Sequence, residues 1–500
     1  MSMPAEHMNS MLTLGDLLQG YADAPAIPVQ GIASDSRCVR EGFLFLAVQG
    51  MGSHGLDYAE QASQAGACAI AWDASTGTEP TATGLPLIPV ENLHDKLGEI
   101  ANRFYGRPSE HLDVIGITGT NGKTTVAWMI AQAGEYLGNK CGYLGTLGYG
   151  VGEIGGAEGM TTPAAVELHG HLAEFIDQGA TQAAIEVSSH ALSQRRVDGV
   201  RFDTAMFMNL SRDHLDYHAD MREYFESKAR LFIDCNPQHR IINVDSEYGE
   251  QLAAMCGPDV IRVSTQIDRK IEKGRYVSVR SVVASELGSD VCFTSSFGDG
   301  SFTLQLPGDF NVANAVMVLA LLLNKGVVLE TACGVMSQLT APPGRMQRVT
   351  MDGPAVFIDY AHTPDALESA LRALRSHCRG ALWCVFGCGG DRDAGKRPEM
   401  GRAAERCADR VVLTSDNPRS EDPAGIIDEI LGGFGNPGEA FVIQDRAAAI
   451  AWVIEQAGAD DVVLVAGKGH EAYQEIAGQR LDFSDYGIAS AAVAAKEGAR

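Results

Sequence analysis

The sequence predicts an α/β protein of three domains whose sheets are mostly parallel. Short β-branched runs alternate with helical stretches, most of the runs end in Gly, Asn, Asp, Thr or Ser, and one leads directly into a Gly-Lys-Thr turn. The 500-residue length sets the domain count, at about 100–200 residues per domain. Buried strands are expected at Val114–Thr118, Ala184–Val187, Ala205–Asn209, Ile241–Val244, Val356–Asp359, Leu382–Gly387, Val411–Thr414 and Val462–Gly467. In open α/β sheets ligands sit beyond the carboxyl ends of strands, so the residues that close these runs are where chemistry is sought. Gly106-Arg107-Pro108-Ser109 and Ala341-Pro342-Pro343-Gly344 punctuate the chain. They set expected domains of 1–110, 111–341 and 342–500.

Composition narrows the function. The chain carries 39 Lys and Arg against 64 Asp and Glu, a formal charge of −25. The acid is spread evenly, with 5 basic and 13 acidic residues over 1–110, 17 and 27 over 111–340, and 17 and 24 over 341–500. Nucleic acid is bound chiefly by cations that neutralise phosphates, so no nucleic-acid partner is expected. The most apolar run, Ala315–Leu323, is too short to span a bilayer, and the first residues carry no basic, apolar leader pattern. A cytoplasmic protein without membrane insertion is expected, acting as a monomer. Eleven Cys without a CxxC pair read as reduced and mostly buried thiols.

The strongest local signal is Val114–Thr125, VIGITGTNGKTT. An apolar strand runs into Gly119, Thr120, Asn121, Gly122, Lys123, Thr124 and Thr125, and a helix is expected from Val126 to Leu137. Backbone N–H groups at such a turn cradle phosphate, a lysine neutralises the β/γ oxygens and a hydroxyl holds Mg²⁺. The match is to Gly-x-x-Gly-Lys-Thr only, because Ile117 stands where the longer pattern has Gly. Glu186 and His214 follow two later strands and could reach a metal beside a triphosphate if those strands flank the phosphate-loop strand. Lys228, on an amphipathic helix, reads by itself as a solvated surface residue. In the last third, strand ends carry Asp359-Tyr360-Ala361-His362, Gly387–Asp393, Asp416-Asn417-Pro418-Arg419 and Gly467–Glu471. On one edge of a parallel sheet such Arg forks and carboxylates suit a small zwitterion.

Together the stretches GITGTNGKTT (116–125), EVSSH (186–190), NLSRDHLDYH (209–218), GDFNVAN (308–314), DYAHTP (359–364), FGCGGDRDAGKRP (386–398) and AGKGHE (466–471) resemble the signatures of the Mur ligases of peptidoglycan synthesis. The resemblance extends to Asp35-Ser36-Arg37 and Gly42–Gly50, so it touches all three parts. It implies an N-terminal domain for a uridine nucleotide, a central P-loop ATPase domain and a C-terminal Rossmann-like domain for an amino acid. It also implies an ATP-dependent amide ligase, with ATP as substrate and Mg²⁺ as cofactor, acting on UDP-N-acetylmuramoyl-L-alanyl-D-glutamate and meso-diaminopimelate.

Carried over by position, the resemblance puts Ser34, Ser36, Met51, Gly52 and Ser53 along the uridine nucleotide, and Thr161, Thr162, Ser188, Gln194 and Arg196 along the muramoyl-dipeptide. Asn311, Arg345, Asp359 and His362 join the phosphate loop as ATP positions. Lys123, Glu186, His214 and Lys228 become catalytic positions, and Thr124, Glu186, His214 and Lys228 metal positions. Lys228 matches a lysine that family members carbamylate, which would turn a cation into an anion able to orient Mg²⁺. Arg392, Asp416, Asn417, Pro418, Arg419, Gly467 and Glu471 match an amino-acid pocket, in which Arg419 offers a fork to the second carboxylate that separates diaminopimelate from lysine. A folylpolyglutamate-type ligase fits less well, because it explains neither Asp416–Arg419 nor Asp35-Ser36-Arg37. A regulatory P-loop ATPase would need no polar cluster at four strand ends. The short Pro342-Pro343-Gly344 segment suggests domain movement during turnover.

Overall fold

The computed structural model describes residues 12–498 other than 51, 157–158, 216, 268, 270, 272–273, 286–287 and 350–352. Two compact units divide the chain, 1–262 and 263–500.

The first unit opens with a small parallel sheet of Gly31–Ala33, Phe43–Ala47, Ala69–Asp73 and Leu87–Val90, side by side in chain order. Leu44, Leu46, Ala69, Ala71 and Ile100 pack on one face, and Phe45, Ala47, Ala62 and Ile70 on the other. The two faces alternate along Phe43–Ala47 as the period of a strand requires.

A larger sheet follows, in spatial order His239–Asn243, Thr204–Phe207, Asp113–Thr118, Gln182–Glu186, Cys141–Gly145 and Gly148–Val151. All are parallel except the last, which returns as a hairpin. The phosphate-loop strand therefore lies between the two strands expected to flank it, with Ile117 beside Glu186 and Thr118 beside Phe207.

Boundaries shift from the sequence reading for identifiable reasons. The strands end at Glu186 and Phe207, although Val187 still donates to the Ile117 carbonyl and Met208 to that of Thr118. The helix after the loop is Lys123–Tyr136, three residues earlier than expected. Gly122 caps it with φ 89°, a left-handed conformation natural to glycine, and Val126 N–H closes the first turn on the Gly122 carbonyl. Lys123, Thr124 and Thr125 thus form its first turn.

The second unit contains an antiparallel meander of Arg275–Ser285, Gly288–Ser295 and Gly300–Leu304, followed by the apolar helix Asp309–Asn324. Among the described residues no helix is long and apolar enough to cross a membrane. Its six-stranded sheet runs Gln347–Arg348, Ala355–Asp359, Val462–Ala466, Leu382–Phe386, Arg410–Leu413 and Phe441–Val442, parallel apart from the first pairing. One face packs on Leu367, Leu371, Leu374, Met400 and Ile430, and the other on Ile450, Val453, Ile454 and Ala489. Burial on both faces explains why these strands read as continuous apolar runs. Four adjacent parallel strands put their carboxyl ends, and with them Asp359, Gly387, Asp416 and Gly467, on one edge.

All eleven cysteines are free of disulfides, but the expectation that most are buried is corrected: only Cys141, Cys384 and Cys388 are. Cys292, for instance, falls on the outward phase of its alternating strand.

Close packing on helix Leu97–Phe104 sharpens one test. A Cβ on Gly98 would lie 2.0 Å from the Asp198 carbonyl oxygen, which also contacts His169 Nε2 at 3.2 Å. Gly98→Ala should therefore destabilise the protein by about 1–3 kcal/mol, the usual cost of overpacking, seen as a lowered midpoint in thermal unfolding.

Candidate active site

Glu186 organises the first unit's site. Its side chain is fully buried and accepts four hydrogen bonds: Thr124 Oγ1 at 2.9 Å and Thr146 Oγ1 at 3.3 Å on Oε2, and Tyr143 O–H at 2.7 Å and Thr146 N–H at 2.9 Å on Oε1. A buried carboxylate requires such donors. The Glu186 carbonyl accepts from Thr162 Oγ1 at 2.7 Å, and Thr162 Oγ1 accepts from Ser188 N–H at 3.1 Å. Thr161 joins through Thr146 at 3.3 Å. Arg196 donates to the Thr162 carbonyl at 2.8 Å and to Gln194 Oε1 at 2.6 and 3.1 Å. The structure thus brings Thr124, Glu186, Thr161, Thr162, Ser188, Gln194 and Arg196 into one continuous network.

The phosphate loop is clamped from the neighbouring strand end. Asn209 Oδ1 accepts from Asn121 N–H at 2.9 Å, its Nδ2 donates to the Asn121 carbonyl at 3.1 Å, and its carbonyl accepts from Thr120 N–H. Lys123 Nζ donates to the Gly119 and Thr120 carbonyls at 2.8 and 3.0 Å.

Lys228 departs from the surface position that its helix pattern suggests. It lies on Met221–Ile233, N-capped by Asp220, and is 1% exposed. Its Nζ donates to the same Gly119 carbonyl at 3.0 Å and sits 4.6 Å from the centre of the Tyr224 ring. Burial, and then the nearby Lys123 ammonium, push the amine well below its ordinary pKa. Tyr224 in turn stands 3.2 Å from Thr120 Oγ1.

His214, with φ 53°, is half exposed and lies 3.6 Å from Asp213 through Nε2. Its ring meets His190 and Tyr224 edge to face at 5.0 and 6.0 Å. The contacts around His214 thus reach Lys228 by way of Tyr224, while Thr124 is the metal position in direct contact with Glu186. Among the described residues no three His, Cys, Asp or Glu side chains gather closely enough to hold a metal unaided. The Thr124 hydroxyl and Glu186 carboxylate, side by side, are hard oxygen donors that fit Mg²⁺ with phosphate oxygens and water completing the shell.

In the small sheet, Ser34 follows the strand Gly31–Ala33, and Gly52 and Ser53 follow its neighbour Phe43–Ala47. Ser36 Oγ donates to Gln61 Oε1 at 3.0 Å, and Ser53 Oγ lies 3.1 Å from Tyr58 O–H. Met51 lies outside the described residues.

In the second unit, Asn311 Nδ2 donates to the Pro307 carbonyl at 2.8 Å. Asp359 accepts from Met346 and Ala361 N–H at 2.7 and 2.8 Å, and burial raises its pKa against the pull of Arg345. Arg345 stacks 4.6 Å from the Tyr360 ring centre, and His362 Nδ1 meets the Tyr360 carbonyl at 2.8 Å.

Asp416, its pKa also raised by burial, accepts from Asn417 N–H at 2.7 Å, and Asn417 Nδ2 donates to Glu471 at 2.8 Å. Gly467, with φ 115°, admits Asp416: a Cβ there would stand 2.6 Å from Oδ2. Arg419 Nη1 donates to the Gly390 carbonyl at 2.6 Å and Nε lies 3.7 Å from Glu475, while Gly390 N–H donates to the Asn417 carbonyl at 2.9 Å. Arg392 is exposed beside Gly389, its Cγ 3.7 Å from where a Cβ would be. Asp416, Asn417, Pro418, Arg419, Gly467 and Glu471 therefore gather at one strand end, with Arg392 exposed nearby.

Tyr143, Thr146 and Asn209 were not among the sequence-derived site residues. Asn209 was recoverable as the polar residue after a buried run, whereas the glycine-rich hairpin bearing Tyr143 and Thr146 has no strand period to read.

A phosphate loop with lysine and threonine, set beside a buried carboxylate on a parallel sheet, defines an enzyme that uses a nucleoside triphosphate. Residues 28–105 match the model for the Mur ligase family catalytic domain, 117–322 that for the Mur ligase middle domain, and 344–469 that for the Mur ligase glutamate ligase domain. UDP-N-acetylmuramoyl-L-alanyl-D-glutamate–2,6-diaminopimelate ligases of Coxiella burnetii and Alkalilimnicola ehrlichii are each 45% identical, covering 91% and 98% of this chain and 94% and 100% of their own. A solved structure of a ligase of that name is 35% identical, covers 98% of this chain and 100% of its own, and superposes with a TM-score of 0.73. A folylpolyglutamate synthase structure from Mycobacterium tuberculosis shares the fold at 19% identity, with a TM-score of 0.59 over 81% of this chain and 95% of its own. The chain belongs to the Mur ligase family.

Tyr143→Phe removes one donor from the buried Glu186 carboxylate without changing its shape. It should cost about 1.5–3 kcal/mol, as for a hydrogen bond to a charged group, measured by denaturant unfolding.

Proposed function

We infer that this chain is the ATP-dependent ligase that joins meso-diaminopimelate to UDP-N-acetylmuramoyl-L-alanyl-D-glutamate, within three domains spanning 1–110, 111–341 and 342–500. A carboxylate resists amines because its leaving group would be oxide. Attack of the D-glutamyl carboxylate oxygen on the γ-phosphorus of ATP releases ADP and gives an acyl phosphate. The amine nitrogen then attacks the acyl carbon, a proton leaves the nitrogen, and the C–O bond to phosphate breaks to give amide and phosphate.

The phosphate loop with Lys123 serves the triphosphate. Thr124 and Glu186 are the residues to hold Mg²⁺, which when bound disperses phosphate charge. Thr161, Thr162, Ser188, Gln194 and Arg196 hold the dipeptide arm, and Ser34, Ser36 and residues 51–53 the uridine nucleotide. Asn311, Arg345, Asp359 and His362 complete the ATP contacts. His214, and Lys228 as a carbamate, are the further metal positions. The reaction belongs to the cytoplasm, where ATP and nucleotide sugars are available.

The observation that carries the amino-acid assignment is Arg419, held by Gly390 and Glu475 beside the Asp416–Glu471 cluster. It offers a cation to a second carboxylate, and lysine has none to give. Arg419→Ala should cost about 2–5 kcal/mol, the penalty for breaking a buried charge pair, or roughly 30-fold or more in kcat/KM for diaminopimelate. Phosphate release with the amino acid varied measures this; equal turnover of L-lysine by the unaltered enzyme would refute the assignment.

Lys228 is proposed to carry a carbamate. Carbon dioxide adds only to a neutral amine, and burial, which pulls the pKa of this lysine well below its ordinary value, favours that form over what an exposed lysine offers. Nuclear magnetic resonance with isotopically labelled bicarbonate should show a carbamate carbonyl signal that Lys228→Met abolishes. A spectrum identical in the two proteins would exclude the modification at this position.

A further inference from the structure

We propose that Lys468 is a positioning residue of the amino-acid pocket, orienting Glu471 and Asn417 to receive the ammonium group of the incoming amino acid. The inference rests on the reading of that pocket given above and adds to it a residue whose own side chain is sealed from solvent.

Lys468 stands between Gly467 and Gly469, whose φ values of 115° and 54° kink the chain as it leaves the strand Val462–Ala466. The kink turns the lysine inward, where it is 0% exposed. A fully buried lysine is rare unless paired, and this one is paired twice: Nζ donates to Asn417 Oδ1 at 2.9 Å and to Glu471 Oε2 at 3.0 Å. The ammonium also lies 5.4 Å from the centre of the Tyr473 ring.

Each contact fixes an orientation. Asn417 Oδ1 accepts from Lys468 and from Glu475 N–H, also at 2.9 Å. Turning this amide over would point an NH₂ group at an ammonium and at a second N–H, so the lysine sets which end faces which way. The Asn417 Nδ2 then donates to Glu471 Oε2 at 2.8 Å. Glu471 Oε2 is thereby occupied by two protein donors, while among the described residues no donor reaches Oε1. Glu471 is also the exposed member of the pair, at 20% of its side chain against 0% for Lys468. A carboxylate with one oxygen tied back and the other left over is arranged for a donor from outside, and the ammonium of an amino acid is such a donor.

The test compares steady-state kinetics of K468M, E471Q and the double variant, with ATP, the UDP-muramoyl-dipeptide and diaminopimelate each varied in turn. The expected result for K468M is a KM for diaminopimelate raised about tenfold or more, with the other two KM values within about twofold, as for loss of an interaction confined to one substrate. E471Q should raise the same KM, and the double variant should fall short of the product of the singles, because the lysine acts through the glutamate. A K468M enzyme with unchanged diaminopimelate KM beside a defective E471Q would overturn the role of Lys468 and leave the pocket standing. Unchanged KM in E471Q would overturn the pocket reading itself. A purely structural role would lower the melting temperature or raise all three KM values together, and also counts against the proposal. Should K468M not fold, K468R retains the charge and displaces it, and an unchanged diaminopimelate KM there refutes the proposal equally.

Discussion

Two lysines meet on one oxygen. Lys123, from the first turn of the helix after the phosphate loop, and Lys228, from a helix more than a hundred residues later, both donate to the Gly119 carbonyl. Two like charges brought to one acceptor repel each other. Burial, and then the Lys123 ammonium, pull the Lys228 amine well below its ordinary pKa. On the other side of the loop the demand is opposite: a carboxylate, Glu186, is buried and held by four donors. The phosphate loop is thus bracketed by a buried amine and a buried carboxylate.

That bracket depends on strand order. Asp113–Thr118 lies between Gln182–Glu186 and Thr204–Phe207, which places Glu186 on one side of the loop and Asn209 on the other. The second unit repeats the device, with neighbouring parallel strands delivering Asp359, Gly387, Asp416 and Gly467 to one edge. There too a buried cation, Lys468, meets a carboxylate and an amide. In both units the net acidity of −25 says nothing of the sites, since the charges that matter there are few and local.

How much of this was legible in the sequence follows from the range of the interactions. Strands covered on both faces read as apolar runs, so eight strands of the two larger sheets, the phosphate loop and the polar residues closing those runs were visible in advance, whereas the small N-terminal sheet and the antiparallel meander were not. Thr161, Thr162, Ser188 and Arg196, proposed for the dipeptide, came from family resemblance, and one hydrogen-bond network joins them to Glu186. Lys228 was misleading by pattern alone, because helical periodicity cannot register that a loop from a distant part of the chain closes over that face. Tyr143 and Thr146 were invisible, lying in a glycine-rich hairpin with no period, some forty residues from the carboxylate they serve. His214 was legible as a residue type, but its left-handed backbone and its place beside Tyr224 were not.

The central claim is that the cradle built on Gly119, Lys123 and Glu186 phosphorylates a carboxylate on the way to an amide. Heavy-oxygen label placed in the D-glutamyl carboxylate of the UDP-muramoyl-dipeptide traces this directly, by mass analysis of the phosphate released during turnover with diaminopimelate. The account predicts that one labelled oxygen per amide formed appears in the phosphate. Unlabelled phosphate accompanying amide formation would contradict it.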